Sequence, residues 1–195
     1  MMVAAGAVRK RDSHLWERDP DDWYTEPCWV SERLFAAEKF DGEVVDPACG
    51  IGRIVDAGLK HGLQAYGCDK ICRSPRFSET SDFLKWPADA RVENLVSNPP
   101  FAHALAFAKQ ALIVTERKVA LLLPVKWLCG DKRSRWLTTT PLRRVYCLTP
   151  RPSMPPGKVI AAGVEPGGGT VDFAWFVWDR IWHGKPEIAW LRKDT

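Results

Sequence analysis

Residues 43–52 read EVVDPACGIG, a short apolar run that leads through an acid into a bend of small residues. The apolar pair at the start predicts a strand. The two glycines let the backbone turn sharply and approach a ligand closely, because they carry no Cβ atom. The pattern then predicts a helix through about His61 and a second strand over residues 64–68. Such a strand–helix–strand unit has the length that two parallel strands require.

The remainder of the chain continues this alternation of apolar strands and amphipathic helices. Further strands are predicted over residues 95–96, 119–123, 144–148 and 173–178, and further helices over residues 31–40, 103–115 and 125–137. Residues 149–170 hold five prolines and five glycines, which predicts a long loop before the last strand. We therefore expect an α/β fold, a Rossmann-like, doubly wound, mostly parallel sheet with an antiparallel last strand. Ligands bind beyond the carboxyl ends of the strands in such sheets.

The composition predicts one soluble domain. The chain has 195 residues, of which 46% are hydrophobic and 27% charged, enough for one core and too few for two ordinary domains. Residues 1–22 are polar and are predicted to form a flexible N-terminal arm, which leaves residues 23–195 as the single domain. No run approaches the ~20 apolar residues of a membrane span, so we expect a cytoplasmic protein that contacts no membrane.

The net charge and the cysteine pattern exclude few classes of function. The formal net charge of +4 is compatible with a polyanionic partner but does not by itself indicate one. The six cysteines include no CxxC pair and no set of cysteines and histidines at zinc spacing. We therefore expect reduced thiols and no bound metal.

The glycine bend is a candidate cofactor loop. In the G-x-G-x-x-G pattern of a pyrophosphate-binding loop, the glycine after Gly50 and Gly52 would stand at position 55, which is Val, and Ala48 before them is not glycine either. A nicotinamide dinucleotide therefore fits poorly. Asp69 follows the second predicted strand, seventeen residues past Gly52, where a carboxylate can accept both hydrogen bonds of a ribose diol. The pattern favours an adenosine-containing cofactor without a pyrophosphate. The alternative is a tight turn with a surface aspartate.

The second motif, SNPPF, covers residues 97–101 and directly follows an apolar strand. Pro99 and Pro100 remove two backbone donors and fix the φ angles of the turn. The Asn98 side-chain oxygen and the Pro99 carbonyl could then both accept hydrogen bonds from one NH₂ group. Phe101 supplies a flat face on which a planar base can stack. The alternative is a proline turn with a core phenylalanine.

Together, DPACGIG and SNPPF resemble the amino-methyltransferases that include the adenine-N6 DNA methyltransferases, especially the short ones carried by phages and mobile elements. The resemblance covers about residues 22–180 and implies a class I methyltransferase fold with S-adenosylmethionine as cofactor. It also implies transfer of a methyl group to the N6 amino group of adenine in DNA. Asn98, Pro99, Pro100 and Phe101 would be the catalytic residues.

The resemblance further implies a set of cofactor contacts. The bend would surround the methionine part, Asp69 would lie at the ribose, and Asp82 and Phe83 would meet the adenine. For Asp82 and Phe83, a capped turn is the alternative. An aromatic-Thr-x-Pro segment at residues 24–27 would help to hold the methionine carboxylate. The implied cofactor-binding residues are Tyr24, Thr25, Pro27, Asp46, Pro47, Ala48, Gly50, Gly52, Asp69, Lys70, Asp82, Phe83 and Asn98.

The nucleic-acid contacts and the substrate are the least constrained features. Candidates for phosphate contact are Lys126, Lys132, Arg133, Arg135, Arg151 and Lys158. Because no separate recognition region is visible, we expect relaxed or very short-site specificity; the oligomeric state is not predicted. Three alternatives stay open: an RNA or protein-glutamine amino-methyltransferase with the same chemistry, an inactive nucleic-acid-binding module of the same fold, and, least favoured, a nicotinamide-dependent oxidoreductase.

Overall fold

The computed structural model of the chain describes residues 17, 19–74, 80–164 and 167–194. Within them, seven strands form one sheet between helices. The strands are β1 (Val44–Asp46), β2 (Ala65–Gly67), β3 (Val92–Ser97), β4 (Thr115–Pro124), β5 (Leu142–Thr149), β6 (Phe173–Asp179) and β7 (Glu187–Arg192). The helices are α1 (Cys28–Ala37), α2 (Arg53–Lys60), α3 (Ala104–Val114), α4 (Asp131–Leu137) and α5 (Gly157–Ala161).

The strand order is β2-β1-β3-β4-β6-β5-β7. β6 runs antiparallel to both of its neighbours, β4 and β5, and the other paired strands are parallel. This confirms the Rossmann-like, mostly parallel α/β sheet. The prediction that the antiparallel strand is the last one was wrong, because β7 follows it and lies parallel to β5 at the edge of the sheet.

The core lies on both faces of the sheet. All seven residues of β6 are buried, and its side chains alternate between two apolar clusters. On one face Trp175 packs with α1 and α2, and its Nε1 donates to the carbonyl oxygen of Val30 at 3.0 Å. On the other face Phe176 and Trp178 pack with α3 and α4. Helices on both faces make the sheet doubly wound, as the sequence predicts.

Several boundaries differ from prediction for local reasons. α1 begins at Cys28, directly after Pro27, rather than at Ser31, which is buried inside the helix. The helix predicted over residues 125–137 is a 3₁₀ turn followed by α4, because Gly130 between them has extended backbone angles (φ −80°, ψ 125°). The predicted loop over residues 149–170 contains α5.

The packed part of the chain begins earlier than residue 23. Asp19 is buried and its carboxylate accepts from the backbone N–H groups of Asp21 and Trp23, at 3.0 and 3.3 Å. Asp22 accepts from the N–H group of Ala102 at 2.7 Å. The predicted arm therefore includes residues that contact the domain, while its residues 1–16 and 18 lie outside the described part of the chain. None of the described helices has the length and apolarity to span a membrane.

Candidate active site

The two motifs meet at the carboxyl ends of neighbouring parallel strands. Asp46 ends β1 and Ser97 ends β3, and these strands are paired. The Ser97 hydroxyl donates to Asp46 Oδ1 at 2.7 Å. The glycine bend and the proline corner, residues 46–52 and 97–101, therefore form one continuous site.

The glycine bend is tied to the loop after β2 by hydrogen bonds that its backbone N–H groups donate. Gly50 and Gly52 have φ angles of +52° and +88°, which only glycine adopts without strain. The N–H group of Cys49 donates to the Cys68 carbonyl at 3.0 Å, and that of Gly50 donates to Asp69 Oδ2 at 2.9 Å. The acid predicted to receive a ribose thus lies directly against the bend.

Asp46 is a buried acid held by neutral donors. It is 2% exposed, and its Oδ1 accepts from Ser97 and from the N–H group of Ala48. Burial raises the pKa of Asp46 well above its ordinary range, and the charges of Glu26 and Asp69 add to this, while the hydrogen bonds of Ser97 and Ala48 oppose it. The cleft therefore brings several carboxyl groups together, and Arg53 and Arg73 are the cations that line it.

Two residues outside the predicted set fill the space over the bend. The guanidinium of Arg73 pairs with Asp69 at 2.9 Å and lies 4.6 Å from the ring centre of Trp23. A Cβ atom at Gly50 would lie 2.8 Å from Nε1 of Trp23, so the indole rests on the bend. The cavity that remains between these groups has a volume of about 60 Å³.

The residues of this cleft are chemically suited to an adenosine cofactor, but the free volume of the cleft is too small for one in the present arrangement. The glycine bend and Asp69 supply a backbone cradle and a ribose acceptor, and Thr25 Oγ1 is a buried polar atom in the cleft without a partner among the described residues. Pockets for ligands of this size occupy roughly 300–1,000 Å³. Trp23 and Arg73 must therefore move before such a cofactor can enter.

The predicted cofactor residues divide into two groups. Those that line the cleft are Tyr24, Thr25, Asp46, Ala48, Gly50, Asp69 and Asn98. Those that do not line it are Pro27, Pro47, Gly52, Lys70, Asp82 and Phe83.

Phe83 is the clearest correction within the second group. Its ring is 3% exposed and packs 4.4 Å from the ring of Phe107 in the core, so it is not available to a cofactor adenine. Asp82 caps the short 3₁₀ turn at residues 83–85 by accepting from the N–H group of Leu84 at 3.3 Å. The apolar ring follows the turn into the core, which is why the sequence prediction failed here. Lys70 is exposed and faces Asp82 at 3.9 Å.

The proline corner is held against the segment before α1. Asn98 Nδ2 donates to the Tyr24 carbonyl at 2.8 Å and to Glu26 Oε2 at 2.9 Å. The Phe101 ring is stacked on that of Tyr24, with centroids 5.8 Å apart and an angle of 18° between the planes. Phe173 packs against the same ring at 5.5 Å. Phe101 is thus partly exposed at the edge of an aromatic group rather than buried in the core.

A second, wider cavity of about 500 Å³ adjoins Phe101. Its lining is largely apolar and includes Trp127, Met154 and Phe173, with Lys126 and Arg133 also among the residues that line it. An apolar cavity next to a partly exposed aromatic ring can accept a planar ring by stacking.

The six predicted phosphate contacts have different surroundings. Arg133 donates to the Trp127 carbonyl at 3.0 Å, while Arg135 and Arg151 form ion pairs with Asp131 and Asp172. Lys126, Lys132 and Lys158 are exposed, and no carboxylate in the described ranges pairs with them. Only Lys126 and Arg133 of the six line the wide cavity.

Sequence reasoning missed Trp23, Glu26 and Arg73. Trp23 and Glu26 lie in the same short segment as the predicted Tyr24 and Thr25, so the resemblance of that segment to the family motif could have pointed to them. Arg73 could not be found, because its contact with Trp23 depends on the tertiary fold. Across the described ranges, no group of three or more histidine, cysteine or acidic side chains could hold a metal ion.

No protein-family model matches the chain, and no curated protein matches it in sequence. Solved structures do match its fold. A protein from Vibrio vulnificus assigned as the modification subunit of a type I restriction enzyme has a TM-score of 0.60 and 15% identity over 87% of this chain. A protein from Pyrococcus horikoshii assigned as an RNA methyltransferase has a TM-score of 0.52 and 12% identity over 78%. A TehB-like S-adenosylmethionine-dependent methyltransferase from Corynebacterium glutamicum has a TM-score of 0.50 and 14% identity over 77%.

The sheet order and these matches define the class: the chain has the fold of the class I S-adenosylmethionine-dependent methyltransferases. The matched shares of the three structures are 46%, 80% and 86%, so the chain spans about half the length of the restriction-enzyme subunit. Identities between 12% and 15% establish the shared fold, and the reaction must be argued from the site.

Proposed function

We propose that this protein transfers a methyl group from S-adenosylmethionine to the N6 amino group of adenine in DNA. One observation carries the proposal. The corner formed by residues 98–101 lies between a glycine bend, to which Ser97 ties it through Asp46, and a wide apolar cavity beside Phe101. A donor on one side and a planar acceptor on the other would meet at Asn98.

The glycine bend would hold the cofactor, with Gly50 and Ala48 at its backbone, Asp69 at its ribose and Thr25 as a further hydrogen-bonding group. S-adenosylmethionine, when bound, supplies an activated methyl group on a sulfonium. Trp23 and Arg73 must leave their present positions for it to bind, so we expect cofactor binding to change the surroundings of Trp23. No metal and no covalent enzyme intermediate are required for this chemistry.

The corner would hold the acceptor. The Asn98 side-chain oxygen and the Pro99 carbonyl accept the two hydrogens of the target NH₂ group, which directs the nitrogen lone pair toward the methyl donor. Fixing both reactants in line is the main source of rate acceleration in such a displacement. Phe101 stacks the base, and in duplex DNA this stacking offsets part of the cost of unpairing, a few kcal/mol.

Two observations support a nucleic acid as the substrate, and a third favours DNA. The wide cavity, about 500 Å³, offers far more room than an amide side chain needs. Lys126 and Arg133 line it and can contact the phosphates that flank an inserted base. DNA is favoured over RNA because the matched restriction-enzyme subunit, with the highest TM-score of the three, belongs to a DNA-modifying system. With only these contacts, we expect recognition of a very short site or none.

The test is incubation of the purified protein with methyl-labelled S-adenosylmethionine and unmethylated DNA, RNA or a protein mixture. DNA is then digested to nucleosides and analysed by mass spectrometry. We expect N6-methyladenine in DNA, and a Phe101→Ala variant that still binds cofactor but transfers much less. Label in RNA or in protein glutamine would show that the substrate is not DNA, and N4-methylcytosine would show that the target base is cytosine. Cofactor binding without any transfer would indicate an inactive module.

A further inference from the structure

The Asn98 amide faces two acceptors at one end. Its Nδ2 atom lies 2.8 Å from the Tyr24 carbonyl oxygen and 2.9 Å from Glu26 Oε2. Neither a peptide carbonyl nor a carboxylate can donate a hydrogen bond. The end of the amide that faces them must therefore be the NH₂ group, and the opposite rotation would place the amide oxygen against two other oxygens.

This arrangement decides which atom of Asn98 is left for a substrate. Both N–H donors are used within the protein, and among the described residues no donor reaches Oδ1. An incoming NH₂ group needs an acceptor, and Oδ1 is the atom of the side chain that remains to supply it. The orientation of the amide is thus a precondition for the reaction proposed above, on which this inference rests.

Glu26 is built into the structure as a fixed acceptor. It is 4% exposed, and its backbone carbonyl accepts a hydrogen bond from the Arg53 guanidinium at the start of α2. Burying a carboxylate at this depth is costly unless it serves a specific contact. The hydrogen bond from Asn98 and the charge of the neighbouring Arg53 are contacts that offset this cost.

We infer that Glu26 is a positioning residue, whose carboxylate holds the Asn98 amide with Oδ1 turned to the acceptor amino group. Tyr24 contributes through its backbone carbonyl, which a side-chain substitution leaves in place. Glu26 itself does not touch the reacting atoms. Its removal should lower the rate of methyl transfer without weakening cofactor or DNA binding.

The test compares two substitutions of similar size. Glu26→Leu removes the acceptor, and we expect kcat to fall about ten- to a hundredfold, the effect of losing a hydrogen bond to a charged group. The KM for DNA and the Kd for S-adenosylmethionine should change by about twofold or less. Glu26→Gln keeps a side-chain carbonyl oxygen that can accept from Asn98. The Tyr24 carbonyl also remains in place, so this variant should keep most of the activity. Glu32→Leu, on the exposed face of α1, is the matched control.

A second measurement keeps the inference testable without turnover. In the NMR spectrum of the full chain, the side-chain NH₂ protons of Asn98 should exchange slowly with water in the natural protein and in Glu26→Gln, and faster in Glu26→Leu. Equal exchange in all three, or equal kcat in Glu26→Leu and Glu32→Leu, would overturn the inference. Absence of transfer by the natural protein would instead overturn the proposed function, since the exchange data judge the amide orientation separately.

Discussion

The two ends of the sheet bury carboxylates in opposite ways. At the carboxyl ends of β1 and β3, Asp46 and Glu26 are 2% and 4% exposed and their side chains accept hydrogen bonds from neutral groups, namely a hydroxyl, a backbone N–H and an amide. At the other end, Glu38 and Asp179 are each 4% exposed and contact cations. Equal burial is therefore combined with very different electrostatics.

The cations at the far end lie within the first four residues of β4 and the first three of β5. Lys118 Nζ lies 2.5 Å from Glu38, and Arg143 lies 2.7 Å from Asp179. Arg144 also reaches Glu38, at 3.2 Å. Every buried charge there has an opposite charge beside it, which is how buried ions are tolerated in a structural role.

The difference separates stability from function. Asp46 forms no ion pair among the described residues, and Glu26 has only the nearby charge of Arg53. Buried acids with so little charge compensation lower the stability of the fold, so their presence at the ligand-binding edge calls for a compensating use. Asp69 is the intermediate case, since its partner Arg73 belongs to the group that must move for a cofactor to enter. The comparison predicts that substitutions at the far end change unfolding, and that substitutions at the near end change the reaction.

The largest effect is expected for Glu38→Leu. Lys118 and Arg144 would lose a buried partner, although each keeps another carboxylate, Asp179 or Glu187. We expect a loss of about 3 kcal/mol in the free energy of unfolding, the lower end for a broken buried pair, or about 6–12 °C in Tm. Urea denaturation measures this, and the rate of methyl transfer per folded molecule should not change.

The matched control for that substitution is Glu32→Leu. Glu32 pairs with Lys60 at 2.7 Å on the surface, where such a pair contributes about 0.5 kcal/mol or less. Equal losses in the two variants would show that the far-end network contributes no more than a surface pair.

The next effect is expected for Asn98→Ala. The transfer rate should fall about 100-fold, the effect of removing one preorganised hydrogen-bonding group from a reacting centre. Stability should fall as well, by about 1–2 kcal/mol, because the buried Glu26 carboxylate and the Tyr24 carbonyl lose their donor. Asn94, four residues earlier on β3, donates to the carbonyls of Asp41 and Glu43 at the far end, so Asn94→Ala should lower stability and leave the rate intact. The opposite pattern in the two variants would reverse the assignment of the two ends.

The sequence predicted more of the fold than of the site. The alternation of strands and helices was enough for the sheet and its two helical faces. It missed β7 because EIAWLR alternates only weakly, and its Ile188 and Trp190 remain exposed at the sheet edge. The helix break at Gly130 was missed because a single glycine within an otherwise helical pattern does not by itself end a helix.

Within the site, the sequence pointed to residues at strand ends and did not point to residues whose position depends on contacts between segments. Asp46, Asp69 and Asn98 each follow directly from a strand, and the structure brings them to one cleft. Glu26 contacts Asn98, which is far along the chain, and Arg73 contacts Trp23 across the cleft. A local sequence pattern does not reveal such contacts. Phe83 shows the reverse error. Its position resembles the family motif, but its side chain is buried in the core.

A smaller effect is expected for Asp46→Asn. A raised pKa in the folded state means that the contribution of Asp46 is fully present below its ordinary pKa of 3.8 and is lost as the pH rises through the higher folded value. The amide keeps Oδ1 for Ser97 and Ala48 and carries no charge. We expect Asp46→Asn to raise Tm at pH 8 by a few degrees, the shift for about 1 kcal/mol, and to flatten the dependence of stability on pH.

Asp179→Asn is the control at the other end, where a cation faces the carboxylate, and it should lower Tm at the same pH. A lower Tm in both variants would contradict the view that the near-end acid is held without charge compensation.

The smallest effect is expected at the surface cations, where the same distinction between paired and unpaired charges applies. Lys126 is exposed beside the wide cavity, whereas Arg135 is paired with Asp131 at 3.1 Å. Lys126→Glu should weaken DNA binding several-fold and reduce the slope of log K against log salt by about 1, as expected for one lost phosphate contact. Arg135→Glu should change the slope less, because part of its charge is already balanced. A titration of fluorescent DNA at several salt concentrations measures both slopes, and equal slopes in the two variants would place the DNA elsewhere than over the Phe101 cavity.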